Sequence, residues 1–528
     1  MRRSITLIAG ALLTAGAHGA SDDASIATTY GPIEGKVSSD GRVAMWLGIP
    51  YAAPPVGDLR WRAPQPPKSW TDVRKADAFG SPCAQIGTLY GPPPAGQTWG
   101  LGNVDAFGVP VGSEDCLTLN VWRPASDARD LPVIVFVHGG GGVAGYSADP
   151  TYEGSRLATA ANAVVVTVNM RLSVFATLVH PALASGDAVS DSGHFGLLDV
   201  IQALHFVHDN AAAFGGDPGN VTLAGESAGA IMVYLTMASP LAEGLFHKAI
   251  VMSGLFGDGP SRQKALGFSA DLVAHLAQHD GLASPPNDVK QYLRSKSAAD
   301  ILATMRRDKL KNPGAPGDGG VLPAHLAEAF EQGHYNRVPT IVGTTRDEAK
   351  LLAGAFKPTD TERFLMMQTP ARAATATPAD LIAPWLLPGL SSKLYDAYTG
   401  AMTWLLMLGV ESSVKKLALH APKVYRYRFD WDREPEPWHT VYGACHAIDL
   451  PFLFGNFSGI LFAPFFDEHN RGGRDALADA FMQSVGAFAR TGDPNGAHLP
   501  QAWPAWTTDS PQVLHFDATE SALNLSVH

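Results

Sequence analysis

Five short apolar runs recur along the chain: VIVFV at 133–137, AVVVTV at 163–168, VTLA at 221–224, AIVMS at 249–253 and PTIVG at 339–343. Each is short, rich in β-branched residues and without regular polar alternation, the pattern of a strand buried on both faces. Between them lie stretches with helical spacing, such as LLDVIQALHFVHDNAAAF at 197–214 and SAGAIMVYLTM at 227–237. Alternating strands and helices predict an α/β fold, with a central, mostly parallel sheet and helices on both faces. VYRYRF at 424–429 and VLHF at 513–516 add further strands near the C-terminus.

No internal repeat, polar linker or long low-complexity stretch divides the chain. The Pro/Gly-rich pieces GPPPAGQTWGLG at 91–102 and KNPGAPGDGG at 311–320 read as surface loops. Length alone would suggest several domains, but the pattern favours one catalytic domain over 21–528 with large insertions. A helical insertion around 260–335 is expected to form a cap or gorge wall.

The N-terminus, MRRSITLIAGALLTAGAHGA, changes the picture of where the protein works. Arg2 and Arg3 precede an apolar stretch from Ile5 to Ala17, and the small residues Ala17, Gly19 and Ala20 follow. This is the form of a signal peptide over 1–20, cleaved near Ala20 and Ser21, and it predicts a periplasmic or secreted protein. No other segment is long and apolar enough to predict a stable membrane span. The net charge is -11 and no basic stripe is present, so nucleic acid is not an expected partner. Three cysteines are too few for a disulfide-built scaffold. Cys83 and Cys116 could close a loop in an oxidising compartment. Cys445 reads as a small buried apolar residue rather than a second nucleophile.

The sharpest chemical signal is VTLAGESAGA at 221–230, where a strand runs into Gly225-Glu226-Ser227-Ala228-Gly229 and then a helix. G-x-S-x-G in that setting places Ser227 on a tight turn with its hydroxyl projecting into a site, flanked by glycines because side chains there would crowd the turn. The competing reading is an ordinary turn serine. A second signal is VIVFVHGGGGVAG at 133–145. Glycines after a strand leave amides free to converge on an anion, and Gly140, Gly141 and Ala228 would form an oxyanion hole. A phosphate nest is disfavoured because no G-K-[ST] follows. His138, at the strand end, reads as structural.

A nucleophilic serine needs a base and an acid that orients it. With 18 histidines, composition decides little; His446 in YGACHAIDLPFLFG is a candidate beside the commoner structural role for a histidine. Asp347, Glu348 and Asp449 compete for the acid on chemistry alone.

The chain resembles the type-B carboxylesterase, cholinesterase-like family of α/β-hydrolases. The matching blocks run through most of it: YGPIEG at 30–35, WLGIPYAAPPVGDLRWRAPQPP at 46–67, SEDCLTLNVW at 113–122, HGGGG at 138–142, FGGDPGNVTLAGESAG at 214–229, GTTRDEA at 343–349, CHAIDLPFLFG at 445–455 and RTGDPN at 490–495. The resemblance implies Glu348 as triad acid and His446 as base. It also implies a Cys83–Cys116 disulfide, structural ion pairs Arg60–Glu114 and Arg171–Asp199, and a supporting role for Glu226. Gly142 stands where the family often has a bulky aromatic, implying a roomier mouth. Ala349 replaces a usual glycine, and His194 and Val200 stand where asparagine and glutamine are usual.

The expected activity is hydrolysis of an uncharged or moderately bulky carboxylic ester through an acyl-serine intermediate, with no cofactor and no metal. Amide or carbamate hydrolysis on the same fold is the rival reading. A recognition module that lost catalysis is the other, and the presence of all three triad residues speaks against it. Phe175, Phe256, Trp404 and the FAPFF run at 462–466 are candidate linings of an apolar pocket, with core packing the commoner role for each. Oligomeric state is not legible.

Overall fold

The computed structural model describes residues 24–352, 360–382 and 392–528; the expected leader at 1–20 lies outside them. The main sheet has eleven strands. In chain order they are Lys36–Val37 (β1), Val43–Pro50 (β2), Thr118–Pro124 (β3), Leu131–Val137 (β4), Val164–Val168 (β5), Gly216–Glu226 (β6), Lys248–Met252 (β7), Thr340–Thr345 (β8), Val424–Phe429 (β9), Leu514–Phe516 (β10) and Ser526–Val527 (β11). Across the sheet they follow the order β11-β10-β9-β8-β7-β6-β4-β5-β3-β2-β1. From β10 to β5 every neighbour is parallel, and the pairs at both edges are antiparallel. This is the α/β-hydrolase architecture.

The apolar runs form these strands because each side of the sheet meets its own core. Along β4, Val133, Val135 and Val137 enter one core while Ile134 and Phe136 enter the other, as two-residue periodicity requires. One face is covered by Phe195–Asn210 (α1), which contributes Leu197, Ile201, Leu204 and Phe206, the other by Arg471–Thr491 (α8), which contributes Leu477, Phe481, Val485 and Phe488. Register aligns the strand ends: Gly225 of β6 pairs with Val137 of β4 and Val251 of β7, and Met252 pairs with Gly343 of β8. The loops after four strands therefore leave from one edge, where open parallel sheets bind ligands.

The sequence reading differs from the structure mainly at element ends. The helix read over 197–214 is α-helical to Asn210 and tightens into a 3-10 turn at Ala211–Phe214. Ser227 is not helical; the helix after it, Ala228–Ala238 (α2), begins one residue later. The expected helical insertion holds Arg262–His279 (α3), Val289–Ser295 (α4), Ala298–Arg307 (α5) and Leu326–Glu331 (α6). A 27-residue helix at Ser392–Ala418 (α7) was not singled out by the periodicity. Its outer side carries Leu394, Tyr398, Trp404, Leu405 and Leu408 in exposed positions, which blurs the apolar stripe that marks a packed helix.

Cys83 and Cys116 are joined in a disulfide, as the resemblance implies. Both expected ion pairs form. Arg60 Nε donates to Glu114 Oε1 at 2.7 Å, and Arg171 donates to Asp199 from its backbone N, Nε and Nη2 at 2.9, 2.8 and 2.6 Å. Asp199 is fully buried in α1; Arg171 lies just after β5, two residues before Ser173, whose N–H donates to Gly142 O at 2.8 Å. The pair thus anchors a segment that supports the glycine loop. Removing one partner leaves the other charge buried and unpaired, so Asp199→Ala is expected to lose about 3–5 kcal/mol of stability. Urea unfolding at neutral pH measures it; a loss under about 1 kcal/mol, the scale of an exposed pair, would show that the pair is not structural.

Candidate active site

Ser227 sits between β6 and α2 with φ 54° and ψ -119°, a conformation that L residues avoid. Its amide donates to Met252 O at 2.9 Å, tying the turn to the end of β7. The flanking glycines are required by close approach: a Cβ at Gly225 would lie 2.5 Å from Gly229 O, and one at Gly229 would lie 2.1 Å from Val137 O. Backbone therefore packs on backbone where β6 turns into α2, holding the serine at the mouth of a helix N-terminus that favours negative charge.

The glycine loop after β4 lies against this turn. A Cβ at Gly139 would be 3.1 Å from Ser227 Cβ and 2.6 Å from Glu226 Oε2. Gly140 has φ 98°, and a Cβ there would meet Ala144 O at 2.2 Å, so the loop can coil only without side chains. Its far end is held by Gln85, which accepts from Gly145 N at 2.9 Å and donates to Gly145 O at 3.0 Å and Cys83 O at 2.9 Å. The disulfide segment thereby braces the loop. A side chain at Gly142 would meet nothing within 4 Å, consistent with an open mouth. His138 donates from Nδ1 to Gly139 O at 2.9 Å, and burial lowers its pKa to about 4, which fits a neutral structural histidine.

Of the three competing acids, Glu348 meets His446. Its Oε2 accepts from His446 Nδ1 at 2.5 Å, while Oε1 accepts from Ser253 Oγ at 2.6 Å and Thr345 N at 2.8 Å. Burial opposes ionisation of Glu348, but the His446 charge and these donors outweigh it and hold the carboxyl below its usual range. Asp347 is engaged elsewhere, accepting from Arg346 Nη2 at 2.8 Å and Ala444 N at 3.1 Å. Asp449 accepts from the Tyr427 hydroxyl at 2.7 Å, and burial raises its pKa to about 6. Ala349 begins a short helix and leaves the Glu348 carboxylate in place.

The other imidazole nitrogen, His446 Nε2, lies 3.1 Å from Glu226 Oε1. Neither atom completes a hydrogen bond among the described residues, so the Ser227 hydroxyl and His446 Nε2 are not hydrogen-bonded to each other. Burial raises Glu226 to about 8 despite the opposing His446 charge. Burial disfavours the His446 cation, yet the adjacent Glu226 and Glu348 carboxylates raise its pKa to about 9.

Ser227, His446, Glu226 and Gly139 to Gly141 line one cavity of about 330 Å³, walled by Leu89, Tyr90, Val143, Tyr152, Leu351, Leu450, Leu461 and Phe462. Among the aromatic residues proposed as linings, only Phe462 reaches it. Phe175 stacks on Trp61, Phe256 stacks on Phe330, Phe465 is core, Phe466 lines a separate groove and Trp404 is exposed. That separate groove, about 850 Å³ and rich in charged side chains, shares only Asp149 with the Ser227 cavity. Ser253, Thr345 and Gln85 were missed in the sequence. Ser253 is the last residue of AIVMS, but only its position beside β8 shows that it faces Glu348. Among the described residues, no helix is long and apolar enough to cross a membrane.

The carboxylesterase family model matches residues 22–527. Para-nitrobenzyl esterase of Bacillus subtilis (strain 168) is 32% identical over 499 residues, covering 93% of this chain and 94% of the relative. Cocaine esterase of Homo sapiens is 31% identical, covering 100% of this chain and 92% of its own. A solved PNB esterase structure superposes with a TM-score of 0.73 at 31% identity, covering 95% of this chain and 97% of the other. A match of this extent, on a sheet whose loops carry the site just described, means that the chain belongs to the carboxylesterase family and is a type-B carboxylesterase.

Proposed function

We propose that the enzyme cleaves uncharged carboxylic esters through an acyl-Ser227 intermediate, with His446 as general base and Glu348 as its orienting acid. The observation that carries this reading is the 2.5 Å contact between Glu348 and His446 Nδ1 in a cavity that Ser227 also lines. His446 removes the Ser227 proton as Oγ attacks the ester carbonyl carbon. Glu348 fixes the tautomer and stabilises the imidazolium. The Gly140, Gly141 and Ala228 amides stabilise the tetrahedral oxyanion. His446 then returns the proton to the departing alcohol, and a water deprotonated by His446 frees the acid and restores Ser227.

The apolar walls and modest volume favour uncharged acyl and alkyl groups. Steady-state hydrolysis of esters with acyl chains from acetyl to palmitoyl, alongside matched amides and carbamates, tests the reading. Higher kcat/KM for each ester than for its amide is expected; the reverse order supports the amidase reading. The leader-like N-terminus, together with a disulfide of the kind that persists in oxidising compartments, supports export to the periplasm or medium. Fractionation of the native producing cells tests it, and retention of the mature chain in the cytoplasm would refute it.

Glu226 is assigned to tuning the base. His446 acts as a base only when neutral, so activity rises with pH through its pKa. The Glu226 charge favours the imidazolium; Glu226→Gln removes that charge and should move the acidic limb of the kcat/KM profile to lower pH by about 1 unit. An unmoved limb would show that Glu226 is structural only.

A further inference from the structure

We infer that the helical insertion carries a site for a divalent late-transition-metal ion, formed by His275, His279 and Asp308. His275 and His279 lie one helical turn apart on α3, the i, i+4 spacing that puts two imidazoles on one face. Asp308 is the residue at the C-terminal cap of α5, held there by its amide's hydrogen bond to Thr304 O at 3.0 Å. Its Oδ2 lies 3.0 Å from His275 Nδ1 and 2.6 Å from His279 Nε2. One donor atom from each of the three side chains falls within 4.8 Å of the others, and among the described residues this is the one group of three or more His, Cys, Asp or Glu side chains so arranged.

Two imidazole nitrogens and one carboxylate oxygen suit zinc, with the fourth position left to water. A tetrahedral zinc would hold the donor atoms about 3.3 Å apart, so Asp308 Oδ2, now 3.0 and 2.6 Å from the two imidazole nitrogens, needs to move away from them by less than about 1 Å, which the partly exposed side chains allow. Arg307 Nε stands 3.8 Å from Asp308 Oδ1, on the oxygen not shared by the two imidazoles. A purely structural reading is that Asp308 accepts a hydrogen bond from His279 and pairs with His275. Pointing two imidazoles at one carboxylate oxygen from a neighbouring helix also builds a three-sided cation cradle, one that would clip α3 to the end of α5 independently of catalysis.

Zinc chloride titrated into the chelator-treated, full mature protein by calorimetry tests the assignment, because the readout is binding and not turnover. Wild type should bind one equivalent more than His279→Ala and Asp308→Asn, and cobalt in place of zinc should give the visible absorption bands of tetrahedral coordination. Zinc should also raise the wild-type melting temperature and leave that of both variants unmoved. His469→Ala, on an exposed histidine, should behave as wild type. Equal melting temperatures in chelator and equal ester turnover would show that both variants are folded. Equal zinc stoichiometry in wild type and both folded variants would overturn the proposal.

Discussion

Ser227→Ala should reduce kcat for a p-nitrophenyl ester by about 10⁶-fold while leaving the melting temperature within a few degrees of wild type. The loss is large because, in the proposed mechanism, the serine oxygen forms the acyl bond. Cys445, the free cysteine among the described residues, is buried, and burial pushes its thiol well above the usual range, so it cannot take over. The amides of Gly140, Gly141 and Ala228 remain in the variant, so residual turnover about 10³–10⁴-fold above the uncatalysed rate is expected to persist. The backbone of residue 227 is strained at φ 54°, and alanine tolerates that conformation no better and no worse than serine, which is why stability should hold. Activity within tenfold of wild type in a folded variant would remove Ser227 from the mechanism.

Glu348→Gln is the second large effect, with a fall of about 10⁴-fold in kcat and little change in KM. The amide is nearly isosteric, so the hydrogen bonds from Ser253 and Thr345 can survive on its oxygen, but the negative charge beside His446 is gone. That charge raises the His446 pKa, and its removal should also shift the acidic limb of the rate profile downward. Asp347→Asn is the discriminating companion. Asp347 binds Arg346 and the 444 amide and not the imidazole, so its substitution should leave kcat within about tenfold. Steady-state kinetics on both variants across pH 5–10 makes the comparison. A larger loss in Asp347→Asn than in Glu348→Gln would reassign the acid.

The sheet was legible because its strands are buried on both sides and therefore written in unbroken apolar runs such as VIVFV and AVVVTV. The serine turn was legible for a related reason: only glycine fits where β6 and α2 press backbone against backbone, so the chemistry leaves a sequence mark. The acid was not legible from local pattern. Asp347 and Glu348 are neighbours after the same strand, and which one reaches His446 depends on the loop leaving β8 and on Ser253, 95 residues earlier. Family resemblance, not periodicity, pointed to Glu348. The pocket walls were read least well. Phe175, Phe256 and Phe465 are aromatic residues of the kind that lines pockets, but core packing has the same composition, and only tertiary position separates Phe462 from them. Helix α7 escaped notice because exposed Leu, Tyr and Trp side chains blur its amphipathic stripe.

The central claim is tested most directly by covalent trapping with diethyl p-nitrophenyl phosphate. Attack by Ser227 Oγ on phosphorus expels p-nitrophenolate and leaves a diethylphosphoryl group on the serine. Release of one equivalent of nitrophenolate per chain is predicted, with complete loss of ester hydrolysis and the mass increment on a peptide containing Ser227. An esterase that stays fully active after exhaustive treatment, or that carries the group on another residue, would contradict the assignment.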